Sequence, residues 1–170
     1  MNLYDFKSQH NDYNFFVVED KKDELKKLKS DLSRKFHKKL YLTILDGKKL
    51  SNRNQILYNI GVAFKFPDYY GKNWDAFNDC ITDLDWISAE YYLLLINNAD
   101  KIESQGENFS IFFNILEDAA KVWKKGNDFF PIAIPPTPFN IILNTSLKKG
   151  DAIVQKISTI LPNAKIIKII

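Results

Sequence analysis

Cysteine is nearly absent: Cys80 is the only one, and histidine occurs only at His10 and His37. A lone thiol excludes a disulfide framework, and one Cys with two His falls short of the four ligands of a structural zinc site. No metal or other cofactor is therefore expected, and the setting expected is reducing and cytoplasmic. Long apolar runs are also missing. No stretch approaches the ~18 apolar residues that cross a bilayer, and the opening MNLYDFKSQH lacks the basic-then-apolar pattern of a signal peptide, so no membrane is expected. Glycine and proline, six of each, are too scarce for a fibrous or disordered chain. No glycine-rich phosphate loop, nucleophile elbow, internal repeat or low-complexity tract appears. Apolar side chains are plentiful instead. Hydrophobic residues make up 45% and aromatics 14% of 170 positions, enough to build one buried core.

The formal net charge of +3 hides a strong asymmetry. Residues 1–65 carry +6 and residues 119–170 carry +6, whereas residues 66–118 hold 11 acidic side chains against Lys72 and Lys101, or −9. Such an acidic middle points to a cationic partner more than the total charge points to nucleic acid.

Hydrophobic periodicity gives the elements. Residues 15–18 (FFVV) read as a short strand. Leu25, Leu28, Leu32 and Phe36 recur at helical spacing through a basic helix over 21–38. Residues 39–46 read as a strand closed by the Asp46-Gly47 turn, and Ser51 is a plausible N-cap for a helix that Pro67 ends. A second helix spans about 73–84, and the apolar run 91–97 (YYLLLIN) suits a strand buried on both faces. A helix over 109–125 ends at Gly126, followed by a strand at 129–134. After Pro135, Pro136 and Pro138, a strand (139–143), a helix (151–161) and a strand (164–170) complete the chain. Strands separated by helices imply parallel pairing with right-handed crossovers, hence an α/β fold.

Placed on a helical wheel, residues 73–84 divide cleanly. Trp74, Ala76, Phe77, Cys80, Ile81 and Leu84 share one arc, while Asp75, Asn78, Asp79 and Thr82 occupy the other, with Asp83 at its border. Asp75 suits the positive end of the helix dipole. Asp79 lies one turn on, where like charges cost roughly 0.2–0.5 kcal/mol, and no Lys or Arg on that face relieves them. Such a face is either solvated acid or a preformed site for a cationic surface. In the preceding loop, Pro67-Asp68-Tyr69-Tyr70-Gly71, one tyrosine can turn inward as core and the other outward as a contact.

The run from Phe66 to Thr82, FPDYYGKNWDAFNDCIT, resembles the signature of the barstar family, intracellular inhibitors of secreted ribonucleases, in the pattern PxYYGxNxDAxxDCxT. A weaker likeness extends over about residues 39–134. The resemblance implies a small parallel sheet of about three core strands with helices packed on it. It divides the chain into an N-terminal extension (1–38), a barstar-like core (39–136) and a C-terminal strand-helix-strand extension (137–170), and the extensions would be able to add strands. It further implies that this helix and loop plug the active site of a ribonuclease or related basic toxin enzyme in a one-to-one complex, an immunity or antitoxin role. Asp79 would stand in for the substrate phosphate, Asp75 would pair with a neighbouring base, Tyr69 would pack on the catalytic histidine, and Thr82 would hydrogen-bond at the rim. Tyr70, Gly71, Asn73 and Asn78 fall in the same contact region, and Asp118, with Glu117 as its substitute, falls near a further acidic contact. Asn78 stands where the family has Trp, and Asp83-Leu84-Asp85-Trp86 replaces a Gly-Trp pair, so the expected partner is not barnase itself.

Two other functions compete. Asp75 and Asp79 as an acid–base pair would make a hydrolase, but such carboxylates usually flank a cleft from different elements, so no enzyme is expected. The lysine-rich flanks (Lys26, Lys27, Lys29, Lys124, Lys125) offer a nucleic-acid surface, yet the interleaved aromatics that base stacking needs are sparse there.

Overall fold

A computed structural model describes residues 15–19, 30, 31, 34, 39–102, 106–126, 135–146, 148–163 and 166–169. Five strands form one parallel sheet: β1 (Phe15–Glu19), β2 (Leu40–Asp46), β3 (Tyr91–Asn97), β4 (Phe139–Thr145) and β5 (Ile166–Ile169), in the order β2-β3-β4-β1-β5. Among the described residues, four helices with defined bounds accompany them: α1 (Arg53–Ala63), α2 (Trp74–Asp83), α3 (Glu107–Lys125) and α4 (Gly150–Ile160); residues 30, 31 and 34 are helical as well. The α/β class is as the periodicity implied. The sheet is larger than the three expected strands, because β1 and β5 continue it beyond β4. The strand expected at 129–134 lies outside the described residues, as does most of the basic helix over 21–38. The strand beside β3 is β4, which starts after Pro138, whose carbonyl accepts the Tyr92 amide at 2.9 Å. Proline has no N–H to give a ladder, so pairing begins where the prolines stop.

Alternate strand residues point to the main core. Phe15 and Val17, Tyr92, Leu94 and Ile96, and Phe139, Ile141 and Leu143 join side chains from all four helices there. The residues between them, Phe16, Val18, Leu93, Leu95 and Ile142, are buried as well. Apolar residues without alternation are what a parallel sheet covered on both faces requires. Helix α3 offers Phe109, Phe112, Phe113, Leu116, Ala120 and Trp123 at helical spacing, and the Trp123 indole donates to the Ile81 carbonyl of α2 at 2.8 Å. The N-cap of α1 is Asn52 and not Ser51: Asn52 Oδ1 accepts the Gln55 amide at 3.0 Å, whereas the Ser51 hydroxyl bonds the Gln55 side chain at 2.8 Å.

Beyond the carboxyl end of β3, a buried acid fastens β4 to the rest of the sheet. Asp100, with a side chain 6% exposed, accepts the Ser146 hydroxyl at 3.0 Å and the Ser146 amide at 3.4 Å, and pairs with Lys101 (3.1 Å) and Lys149 (3.5 Å). Burial alone would raise its pKa, but the bonds from Lys101 and Ser146 hold the carboxyl well below the usual carboxylate range. Its pKa when folded lies below its unfolded value of about 3.9, so its stabilisation is complete above that value and is lost as the pH falls. We expect Asp100→Asn to cost about 1.5–3 kcal/mol at pH 7. Urea unfolding should show the difference between wild type and variant shrinking progressively below about pH 4, the range in which the unfolded aspartate protonates. An unchanged difference in acid would show that the carboxylate's charge is not what stabilises this junction.

Candidate docking surface

Helix α2 starts at Asn73, whose backbone is extended and whose Oδ1 accepts the Ala76 amide at 2.8 Å. That bond occupies the oxygen of Asn73, which the sequence had placed among the partner contacts; its position is half-buried. A Cβ at Gly71 would stand 3.0 Å from Asn73 Nδ2, a tight contact from which the capping side chain would have to give by a few tenths of an ångström. The inner face of α2 buries Phe77, Cys80 and Ile81, with Phe77 stacked on Phe112 of α3 at 5.9 Å between ring centroids. Burial first, and then the charges of Asp79 and Asp83, push the Cys80 thiol up, so it behaves as a small core residue and not a reactive one. The helix ends at Leu84, left-handed at φ 48° and 1% exposed. The conformation costs a non-glycine residue of order 1–2 kcal/mol, and burying the leucine offsets it by about 1.5–3 kcal/mol.

The outer face presents Asp75, Asn78 and Asp79 to solvent, with Asp83 exposed beyond them. Among the described residues neither Asp75 nor Asp79 has a Lys or Arg within ion-pair distance. Burial and then the neighbouring Asp85 charge raise the pKa of Asp83, against a backbone bond from Asp85. Asp83 and Asp85 thus add negative charge at this end of the stripe, and like charges gathered on one face attract a cationic surface. The Thr82 hydroxyl donates back to the carbonyls of Asn78 (2.8 Å) and Asp79 (3.1 Å), so toward a partner it has only lone pairs to offer.

The two tyrosines separate as their different surroundings dictate. Tyr69 is 73% exposed, and slight desolvation, followed by the nearby Cys80, Asp83 and Asp85, raises its pKa. Tyr70 is 8% exposed and donates its hydroxyl to the Leu57 carbonyl of α1 at 3.1 Å. Phe66 meets its ring edge-on at 4.8 Å and the Trp86 ring edge-on at 5.9 Å, and the Trp86 indole donates to the Phe64 carbonyl at 2.9 Å. Tyr70, expected among the contacts, is thus the anchor of the loop: a phenol with a backbone acceptor inside is satisfied where it stands.

Sequence reasoning passed over Gly61, on which this anchor depends. A Cβ at Gly61 would approach Tyr70 Cε1 to 2.8 Å and Cδ1 to 3.1 Å, so any larger residue would force the ring to shift. A glycine inside a helical pattern was the available signal. Gly61→Ala should gain about 1 kcal/mol of helix propensity and lose about 1–3 kcal/mol to overpacking. A net fall in the urea midpoint, with blunted near-ultraviolet dichroism of the aromatic cluster, is expected. A rise would mean that the ring moves aside freely.

On α3, Glu117 is buried and paired with Lys121 at 3.0 Å, while Asp118 is exposed at 3.5 Å from the same lysine. Of the two acids weighed as a further contact, Asp118 is the one at the surface.

The scaffold and site together define a class: a parallel α/β domain that displays an acidic helix face, without ion pairs among the described residues, and an exposed tyrosine in the loop before it. Comparison with known proteins identifies the family. The model for "Barstar (barnase inhibitor)" matches residues 40–134, and the chain belongs to the barstar family. It is also similar to the Bacillus subtilis protein named "Putative ribonuclease inhibitor YrdF", at 37% identity over 54 residues. That alignment covers 32% of this chain and spans 57% of the relative's length.

Proposed function

We propose that this protein binds one molecule of a basic ribonuclease and blocks its active site, protecting the cell that makes it. The carrying observation is the outer face of α2, where Asp75 and Asp79 stand exposed without cationic neighbours among the described residues. A ribonuclease must hold phosphate with arginine, lysine and histidine, so its pocket is complementary to carboxylates presented on a rigid helix. In this reading Asp79 takes the place of a substrate phosphate and Asp75 pairs with a base beside it. Tyr69 supplies aromatic area that stacks on a ring of the enzyme, and Asp118 meets a cation at the edge. The barstar family's description as barnase inhibitors and the name of the B. subtilis relative support the ribonuclease as target class.

The test is a titration of RNA cleavage by a panel of purified barnase-type extracellular ribonucleases. At least one should lose all activity at one-to-one stoichiometry. If none does, the proposal fails. If the protein instead retains labelled RNA tightly on filters by itself, a nucleic-acid-binding function takes precedence.

A further inference from the structure

We propose that the docking surface continues from the loop onto α1, where Tyr58, Val62 and Lys72 form a second contact for the same ribonuclease. The inference rests on the docking of α2 proposed above. Its occupant is the rim of the enzyme next to the phosphate pocket, apolar where it meets Tyr58 and Val62 and carrying a carboxylate opposite Lys72.

Tyr58 is 57% exposed and Val62 61%, two of the few large apolar side chains left in solvent among the described residues. They lie four apart on α1, hence on one stripe. That stripe borders the loop, because Leu57 and Gly61, their immediate neighbours, are the residues that hold Tyr70. Lys72 closes the gap. It follows Gly71 in the loop, adopts φ 49°, and sets its ammonium over the Tyr58 ring, 5.8 Å from the centroid. The left-handed conformation and the cation–π contact aim one charge at one place.

That charge runs against its surroundings. Residues 66–118 hold only two basic side chains, and the other, Lys101, is paired with Asp100. Lys72 makes no ion pair among the described residues. A cation at the edge of an acidic docking face opposes a uniformly basic partner. It fits one whose basic pocket is bordered by a carboxylate, because covering Lys72 without a counter-charge would leave it desolvated and unpaired. Charge complementarity therefore commits the partner's chemistry on both sides of the loop: cations facing α2, a carboxylate facing Lys72. The acid stripe would attract many ribonucleases; this corner would choose among them.

The experiment uses the full chain and the panel ribonuclease it binds most tightly. Wild type is compared with Tyr58→Gln/Val62→Gln, with Lys72→Glu and with Asp79→Ala. Glutamine favours helix, and urea unfolding confirms that each variant folds. Both α1-side variants should bind at least about tenfold more weakly, in keeping with interface anchors. The glutamine pair should act through faster dissociation, with the salt dependence unchanged. If either variant binds within fivefold of wild type while Asp79→Ala is strongly impaired, the α1 contact is wrong and docking through α2 stands. If Asp79→Ala also binds like wild type, both fail.

Discussion

Replacing Asp79 by alanine is expected to weaken the complex with the target ribonuclease by more than about 2 kcal/mol, the range of interface hot spots. The side chain is exposed on α2, with no ion-pair partner among the described residues. Its removal also relieves repulsion from Asp75, worth roughly 0.2–0.5 kcal/mol along a helix. Free protein should thus be as stable as wild type or slightly more so, while the complex suffers. A residue whose loss helps the fold and harms the binding is one placed for a partner. Calorimetric unfolding of the free protein together with surface binding to a catalytically inactive ribonuclease would measure both. Equal affinity for wild type and Asp79→Ala would reject the docking mode.

The second large effect falls on stability. Tyr70→Ala should cost about 3–5 kcal/mol, as truncating a large buried aromatic does. It removes the ring packed against Phe66 and Gly61 and the bond to the Leu57 carbonyl. Tyr70→Phe keeps the ring and loses the hydroxyl, for about 1 kcal/mol. Because only Tyr69 of the pair faces outward, Tyr70→Phe should leave affinity intact, whereas Tyr69→Ala should lower affinity and leave unfolding unchanged. Urea titrations and binding constants of the three variants check this division. If Tyr70→Phe weakens binding as much as Tyr69→Ala, Tyr70 is a contact and not an anchor.

Much of this arrangement is legible in the chain. The apolar run at residues 91–97 became β3 at those bounds, and the two arcs of the helix wheel became the buried and exposed faces of α2. Both are local patterns, set by periodicity. The adjacent tyrosines could be recognised as one inward and one outward, but which was which depended on Gly61 of α1, nine residues before Tyr70. The resemblance to the barstar pattern places Asn73 among the contacts; its position immediately before the first helical residue also makes it a cap. Sheet order escaped the sequence for the same reason. Pairing of β1 with both β4 and β5 joins residues more than a hundred positions apart, and no local pattern records such a contact. Asp100 likewise reads as one more acid in an acidic stretch until the fold brings Ser146 and Lys149 beside it.

Direct competition at the enzyme's phosphate pocket tests the central claim. The affinity of the protein for an inactive barnase-type ribonuclease is measured with and without a saturating nucleoside 3′-monophosphate. If Asp79 occupies the phosphate position, apparent affinity falls in proportion to nucleotide occupancy, and the wild-type advantage over Asp79→Ala shrinks with it. Unchanged affinity at full occupancy would mean that the protein binds elsewhere on the ribonuclease.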